Sequence, residues 1–340
     1  MRLSWGDNEN KMVVKTNFSK EDISKILSKY SLGRLVSFES TDKGTVQTNI
    51  FIKTTKARFV LRYYENRSKK SVLFEINLIN YLKNKKYPCP TPFKNNRGKI
   101  VGIFKNKPYV LFEFVEGKHI EKPTEKQKKQ LIQKVAELQN LTGNYRPLYE
   151  KYRINYNIKF CKKLAKEEVK RLRTANAIKK AKWIKSELMK LELPKSLPKG
   201  VCHCDFHFSN VLFKENKFKA LIDFDDANYT YRVYDLICLI SPFVSSFDWN
   251  TWEKFKLTEN VFDFRETKKI ILEYMKHAFL SDVEKYYLFD IYKLSILIDC
   301  IWYFERGNAE DFFEKRKIDH LNNLGREEFY KRIFGGDIKS

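Results

Sequence analysis

The sequence predicts an α+β protein built as two lobes, an N-terminal antiparallel sheet followed by a larger, mainly helical C-terminal part. Three observations carry that reading. Residues 35–115 are rich in β-branched and aromatic runs separated by short polar turns, which suit a pleated, half-buried surface. From Pro123 onward apolar residues recur at helical spacing. The length of 340 residues is enough for two packed units. The pattern changes after Glu116, so the lobes are read as residues 1–116 and 117–340.

Residues 19–30 read as the first helix. Ser19 can cap it, Asp22 completes a capping-box pattern, and Ile23, Ile26 and Leu27 make one apolar face before Gly33 stops it. LVSFES, TNIFIKTT and ARFVLRYYE follow as three antiparallel strands. Residues 71–83 form an amphipathic helix, with Leu73, Ile76, Ile79 and Leu82 on one stripe. The prolines of residues 87–92 end it, because proline lacks the amide donor and restricts the residue before it. GKIVGIFKN and residues 109–115 supply two further strands.

Residues 125–141 carry Leu131, Val135, Leu138 and Leu141 on one helical stripe. Residues 159–190 mix Lys and Arg with apolar residues at helical spacing. Leu164, Val169, Leu172, Ile178 and Trp183 are expected on the buried side, leaving a solvated basic face. LPKSLPKG, residues 193–200, breaks the helical run, and Tyr234-Asp235-Leu236 opens another helix. Residues 261–279, 283–303 and 308–334 read as helices that bury Trp252, Trp302 and many other aromatics.

The stretch 201–236, VCHCDFHFSNVLFKENKFKALIDFDDANYTYRVYDL, is of a different kind. It sets His203, Asp205 and Asn210 in the order His-x-Asp-x4-Asn, and a second acid, Asp223, closes the apolar run KALID. Between them, residues 211–213 and 218–222 read as two short strands joined by a polar turn. A hairpin there brings Asp205, Asn210 and Asp223 to one end. Phosphoryl transfer from a nucleotide needs such a set: a carboxylate to accept the proton of the attacking hydroxyl, and an amide oxygen and second carboxylate to hold magnesium. Asp205 is therefore the candidate base and Asn210 and Asp223 the candidate Mg2+ ligands, oxygen donors of the kind that ion takes. His203 would brace the loop from behind. The plain alternative is a polar turn with Asp205 and Asn210 as local caps.

HCDFHFSNVLF, LIDFDDA and YDL together resemble the aminoglycoside phosphotransferase and choline kinase superfamily, small-molecule relatives of the protein kinases. The resemblance implies a bilobal protein-kinase-like fold, ATP and Mg2+ as cofactors, and a hydroxyl-bearing small molecule as substrate, either a homoserine-like amino alcohol or an aminoglycoside-like acceptor. Phe224-Asp225 stands where a protein kinase has Phe-Gly, and no activation segment follows, which argues against a protein substrate. Order of segments over about residues 30 to 305 is most similar to the bacterial homoserine kinase type II group, including Gly117-Lys118-His119-Ile120.

By that resemblance, the loop around Gly44 covers the nucleotide phosphates. Arg62 stands where many members place a phosphate-binding lysine, and it either forks onto phosphate oxygens or is an ordinary strand residue. Glu75 is the helix acid that would pair with it, or a solvated acid. Adenine would meet backbone groups at Glu113, Phe114 or Val115, and Asp235 would support the catalytic loop through its backbone. His207, Asp225 and Asp226 are candidate substrate contacts; the two aspartates would meet a cationic amine or stand as exposed, solvated turn acids.

Composition bounds the rest. With 43% hydrophobic and 15% aromatic residues, the chain can pack a core. No run approaches a membrane span and no leader-like apolar segment follows Met1, so a cytoplasmic protein is expected. Six scattered cysteines suit a reducing compartment, and Cys202-His203-Cys204 has the wrong spacing for zinc. The net charge of +24 permits nucleic-acid binding, but the lysines are spread along the chain as a general compositional bias, and a small-molecule partner is the reading taken. A nucleotide-binding pseudokinase is the alternative from another class, with Arg62 as its best support.

Overall fold

The computed structural model describes residues 15–41, 46–240, 262–312 and 314–336. The first part is an antiparallel sheet of five strands in the order β1-β2-β3-β5-β4: β1 Leu35–Thr41, β2 Thr48–Thr54, β3 Arg58–Tyr63, β4 Gly102–Phe104 and β5 Lys107–Glu113. Helix α1 (Lys20–Leu27) begins with the capping box of Ser19 and Asp22. It lays Ile23, Ile26 and Leu27 on Ile50, Ile52, Phe59, Leu61 and Leu111. Phe59, Leu61 and Tyr63 thus point to α1, and strand alternation sends Arg58, Val60 and Arg62 to the opposite face. Helix α2 (Lys69–Asn84), capped by Ser68, belongs to the larger core with Val110 and Phe112 of β5.

The second part holds helices α3 Glu125–Thr142, α4 Ile158–Leu172 and α5 Ala175–Met189. Two short ladders follow: β6 Lys199–Cys202 with β9 Asn228–Tyr231, and β7 Val211–Lys214 with β8 Lys217–Leu221. Helices α6 Tyr234–Ile240, α7 Phe264–Met275, α8 Asp282–Trp302 and α9 Lys315–Phe334 complete the described residues. Sheet first, helices second is the α+β order expected from the sequence. Among the described residues no helix is long and apolar enough to cross a membrane, and all six cysteines are buried free thiols.

Two expectations change. The Lys-rich run is a pair of helices, because Arg173 takes a left-handed conformation (φ 54°) and Thr174 caps a second helix. Of the buried side expected for it, Leu164, Val169, Leu172 and Trp183 do pack half-buried on the core. Ile178 is exposed, whereas Cys161, Ala165, Ala177, Ile184 and Leu188 are buried, and Lys180 is buried with them. The last helix begins at Lys315 rather than 308 and is interrupted by non-helical Gly325. Trp252 lies outside the described residues.

Lys180 shows how α5 is fastened. Its ammonium donates to the carbonyls of Phe304, Arg306 and Gly307 at 2.8, 2.9 and 2.7 Å, satisfying oxygens just past the end of α8. Lys180→Met keeps the length and removes all three bonds, leaving buried acceptors unpaired. The expected loss is about 2–4 kcal/mol of stability, read as a lower urea midpoint with an unchanged slope. A midpoint equal to wild type would show that these bonds contribute nothing net.

Candidate active site

The two loops that carry the candidate chemistry are bounded on both sides by paired strands. β6 leads into residues 203–210 and β9 leaves residues 222–227, and Cys202 pairs with Asn228. At the other end β7 and β8 pair Val211 with Leu221 across a turn at Glu215 and Asn216, both with positive φ. A chain closed at both ends has little choice but to lay the loops side by side. Ile222 N–H donates to Asn210 O at 2.8 Å, and His203 Nε2 donates to Ile222 O at 3.0 Å. Asp205, Asn210 and Asp223 are thereby drawn to one end of the hairpin.

The Asp205 loop is held from beneath by Asp235, the second residue of α6. Its carboxylate accepts the N–H groups of His203 at 3.0 Å and Cys204 at 2.8 Å, and the Gln139 amide of α3 at 2.8 Å. Asp235 is fully buried, so these bonds work at low dielectric. His203 is buried too. Its Nδ1 accepts from Asp205 N–H at 3.3 Å while Nε2 serves Ile222, which fixes the neutral tautomer. Burial pushes its pKa down to about 4.

Asp205 is half-buried and Asn210 buried. The Asn210 amide nitrogen donates to Asp205 Oδ2 at 2.7 Å and to Asp205 O at 2.9 Å. With its nitrogen committed to Asp205, Asn210 has its carbonyl oxygen left for another partner. His207 accepts from Ser209 N–H at 3.1 Å and so caps its own short turn.

Asp223 sits in a left-handed conformation (φ 61°, ψ 68°) and begins the turn Phe224–Asp226. Its Oδ1 accepts Arg62 Nη2 at 2.6 Å, and its side chain is 37% exposed, the Arg62 side chain 10%. The resemblance would pair Arg62 with Glu75, the alternative being a solvated acid. In the structure the hydrogen bond goes to Asp223, and Glu75 Oε1 instead accepts Tyr64 O–H at 2.8 Å. Burial opposes the Arg62 charge, but Asp223, then Glu75, more than compensate and raise its pKa. Glu75 is 1% exposed, so it is not a solvated acid. Burial raises its carboxyl above the usual range against the opposing pull of Arg62.

Asp225 and Asp226 are not exposed either. The Arg67 guanidinium forks onto Asp225, Nε to Oδ1 at 3.0 Å and Nη2 to Oδ2 at 2.8 Å, and lies 3.7 Å from Asp226. The Gln47 amide donates to Asp225 Oδ2 at 3.1 Å. Burial would raise the Asp225 carboxyl, but Arg67, with Arg62 and Arg153, holds it far below the usual range. Burial and the neighbouring Asp225 charge push Asp226 up. From the segment before α4, Arg153 donates to the carbonyls of Phe224 and Ala227, each at 2.9 Å, and to Ser71 Oγ at 3.1 Å. The turn is buried because three arginines from outside it neutralise it.

At the strand end expected to meet adenine, Glu113 is half-buried and its Oε1 accepts Thr91 N–H at 2.9 Å. The Arg58 guanidinium lies 3.6 Å from the Phe114 ring centroid, and Phe51 packs edge-on at 5.7 Å. Val115 is half-buried. Gly44 lies outside the described residues. Arg67, Gln47 and Arg153 were missed in the sequence. The signal was present in the acids rather than the bases: three carboxylates in four positions after an apolar strand demand buried cations.

A family described as "Phosphotransferase enzyme family" matches residues 38–264. The homoserine kinase of Bartonella tribocorum is 28% identical over 283 residues, 77% of this chain and 84% of that protein. Among solved structures, a microcompartment-associated aminopropanol kinase superposes with TM-score 0.59 at 14% identity, covering 92% of each chain. An amicoumacin kinase in complex with AMP-PNP, Ca2+ and Ami gives TM-score 0.58 at 15% identity, covering 93% of this chain and 94% of that one. These two likenesses bear out the expected fold.

A pH dependence follows from His203. Its folded pKa lies below the unfolded value of about 6.5, so the unfolded chain binds more protons between pH 6.5 and 4. Stability should therefore fall as pH drops through that window, by up to about 3 kcal/mol from this residue. His203→Gln should flatten the loss measured by urea unfolding at pH 7 and pH 5; an unaltered slope would contradict it.

Proposed function

The chain belongs to the phosphotransferase enzyme family and acts on a hydroxyl group; from that premise we propose that it is an ATP- and Mg2+-dependent small-molecule kinase whose acceptor is a homoserine-like amino alcohol. The observation that carries the reading is the placement of Asp205, Asn210 and Asp223 at one end of the β7–β8 hairpin. Homoserine kinase relatives and the fold shared with an aminopropanol kinase support a compact acceptor carrying an amine and a hydroxyl.

The donor set fits Mg2+. Asn210 has an amide oxygen left after its nitrogen is committed, and Asp223 has a carboxylate that is partly open. Both are hard oxygen donors, and this ion uses few protein ligands and keeps waters. When bound, it would neutralise charge developing on the transferred phosphoryl group. Asp205 orients the acceptor hydroxyl and takes its proton, while the Asn210 amide keeps the carboxylate aimed. Arg62 is positioned to exchange its contact with Asp223 for phosphate oxygens, which its planar fork suits. His203 and Asp235 hold the loop still, and positioning is the larger part of catalysis in such transfers.

With the lobes divided after Glu116, the nucleotide would lie between the sheet and the helical part. Adenine would meet backbone groups at residues 113–115, and Gly44 would lie in the phosphate-covering loop. Buried free thiols suit a cytoplasmic setting.

ADP release should be measured from ATP and Mg2+ with homoserine, choline, methylthioribose and several aminoglycosides as acceptors. One acceptor should stimulate release. Asp205→Ala should lower the stimulated rate by about 10²–10⁴-fold and Asp223→Ala by at least as much, with circular dichroism unchanged. Acceptor-stimulated turnover within about tenfold of wild type in either folded variant would remove the assignment.

A further inference from the structure

Asp225 is the buried carboxylate that this reaction leaves unused. It lies two residues beyond Asp223, and its backbone N–H is directed at Asp223 Oδ1, 3.4 Å away. Both its oxygens are taken: Oδ1 by Arg67 Nε, and Oδ2 by Arg67 Nη2 and Gln47 Nε2. Gln47 is itself fixed, since its Oε1 accepts Glu65 N–H at 2.8 Å and its amide nitrogen also reaches Asn66 Oδ1 at 3.1 Å. A carboxylate so occupied and only 9% exposed is poorly placed to meet an amine on a substrate.

The positions of its partners matter. Gln47 stands just before β2, and Arg67 directly precedes the Ser68 cap of α2. Both belong to the sheet part, whereas Asp225 belongs to the turn between β8 and β9. Asp223 meanwhile holds a left-handed backbone that a non-glycine residue keeps only when its surroundings impose it.

We propose that Asp225, Arg67 and Gln47 form a positioning clamp, which sets the Asp223 carboxylate for a divalent cation and ties it to the start of β2. The clamp rests on the kinase reading above and deepens it. None of the three residues touches the reacting atoms. They act through Asp223, and they join the sheet part to the catalytic turn.

The test is calorimetric binding of AMP-PNP to the full chain across a Mg2+ titration, with the acceptor KM measured alongside. In wild type Mg2+ should tighten AMP-PNP, and Asp223→Ala should lose that tightening. Asp225→Asn and Arg67→Lys should raise the Mg2+ midpoint about 10-fold, the usual cost of removing a residue that orients a metal ligand, and leave acceptor KM within about twofold of wild type. Gln47→Leu, which keeps both charges and so guards against a misfolded variant, should shift the midpoint in the same direction by a smaller factor. An unchanged Mg2+ midpoint in folded Asp225→Asn and Arg67→Lys would overturn the clamp alone; if acceptor KM rose instead, Asp225 would be a substrate contact. Tightening that survives Asp223→Ala would overturn the metal assignment, and the clamp with it.

Discussion

The structure depends on a buried concentration of negative charge. Asp223, Asp225 and Asp226 occupy three of four consecutive positions, and water is largely excluded from two of them. Left alone, such a turn would protonate or unfold, because each buried ion costs several kcal/mol and like charges add to that. Arg62 from β3, Arg67 from the approach to α2 and Arg153 from the segment before α4 supply the counter-charge. The arginines come from segments far apart in sequence, so the turn cannot be stable until the sheet, α2 and the helical part have met. One local charge problem thus makes the assembly of the fold and of the site a single event.

A second device gives that turn its neighbour. The β6–β9 and β7–β8 ladders close the two site loops at both ends, and Asp235 fixes the first loop through two backbone amides and Gln139. Hydrogen bonds to backbone are stiffer constraints than bonds between side chains, since they leave no rotamer free. The result separates holding from reacting. His203 and Asp235 are wholly buried and partnered, whereas Asp205 and Asp223 keep part of their surface exposed.

Most of the fold was legible. Ser19 and Asp22 announced α1, alternating β-branched and aromatic residues announced the sheet, and the polar turn between Phe213 and Phe218 announced the hairpin. These signals are local, and the structure obeys them. Cross-chain choices were not legible. Nothing local says that Arg62 prefers Asp223 to Glu75, because that choice depends on the reach of a strand residue into a turn 161 positions away. Nor does periodicity reveal that Lys180 faces inward while Ile178 faces water; the carbonyls past α8 decide it. Asp225 and Asp226 read as exposed because turn acids usually are, and the arrival of Arg67, with Arg62 and Arg153, makes their burial tolerable. The order His203, Asp205, Asn210, Asp223 was visible as a motif, and the ladders that bring it together supply the physical reason.

Phosphoryl transfer by this chain is tested most directly by phosphorus NMR of the full chain with ATP, Mg2+ and a homoserine-like amino alcohol. A phosphomonoester resonance should grow as the γ-phosphate signal of ATP declines, in equal amounts. A γ-phosphate signal that stays constant, or one that declines only into inorganic phosphate across the acceptor panel, would contradict it.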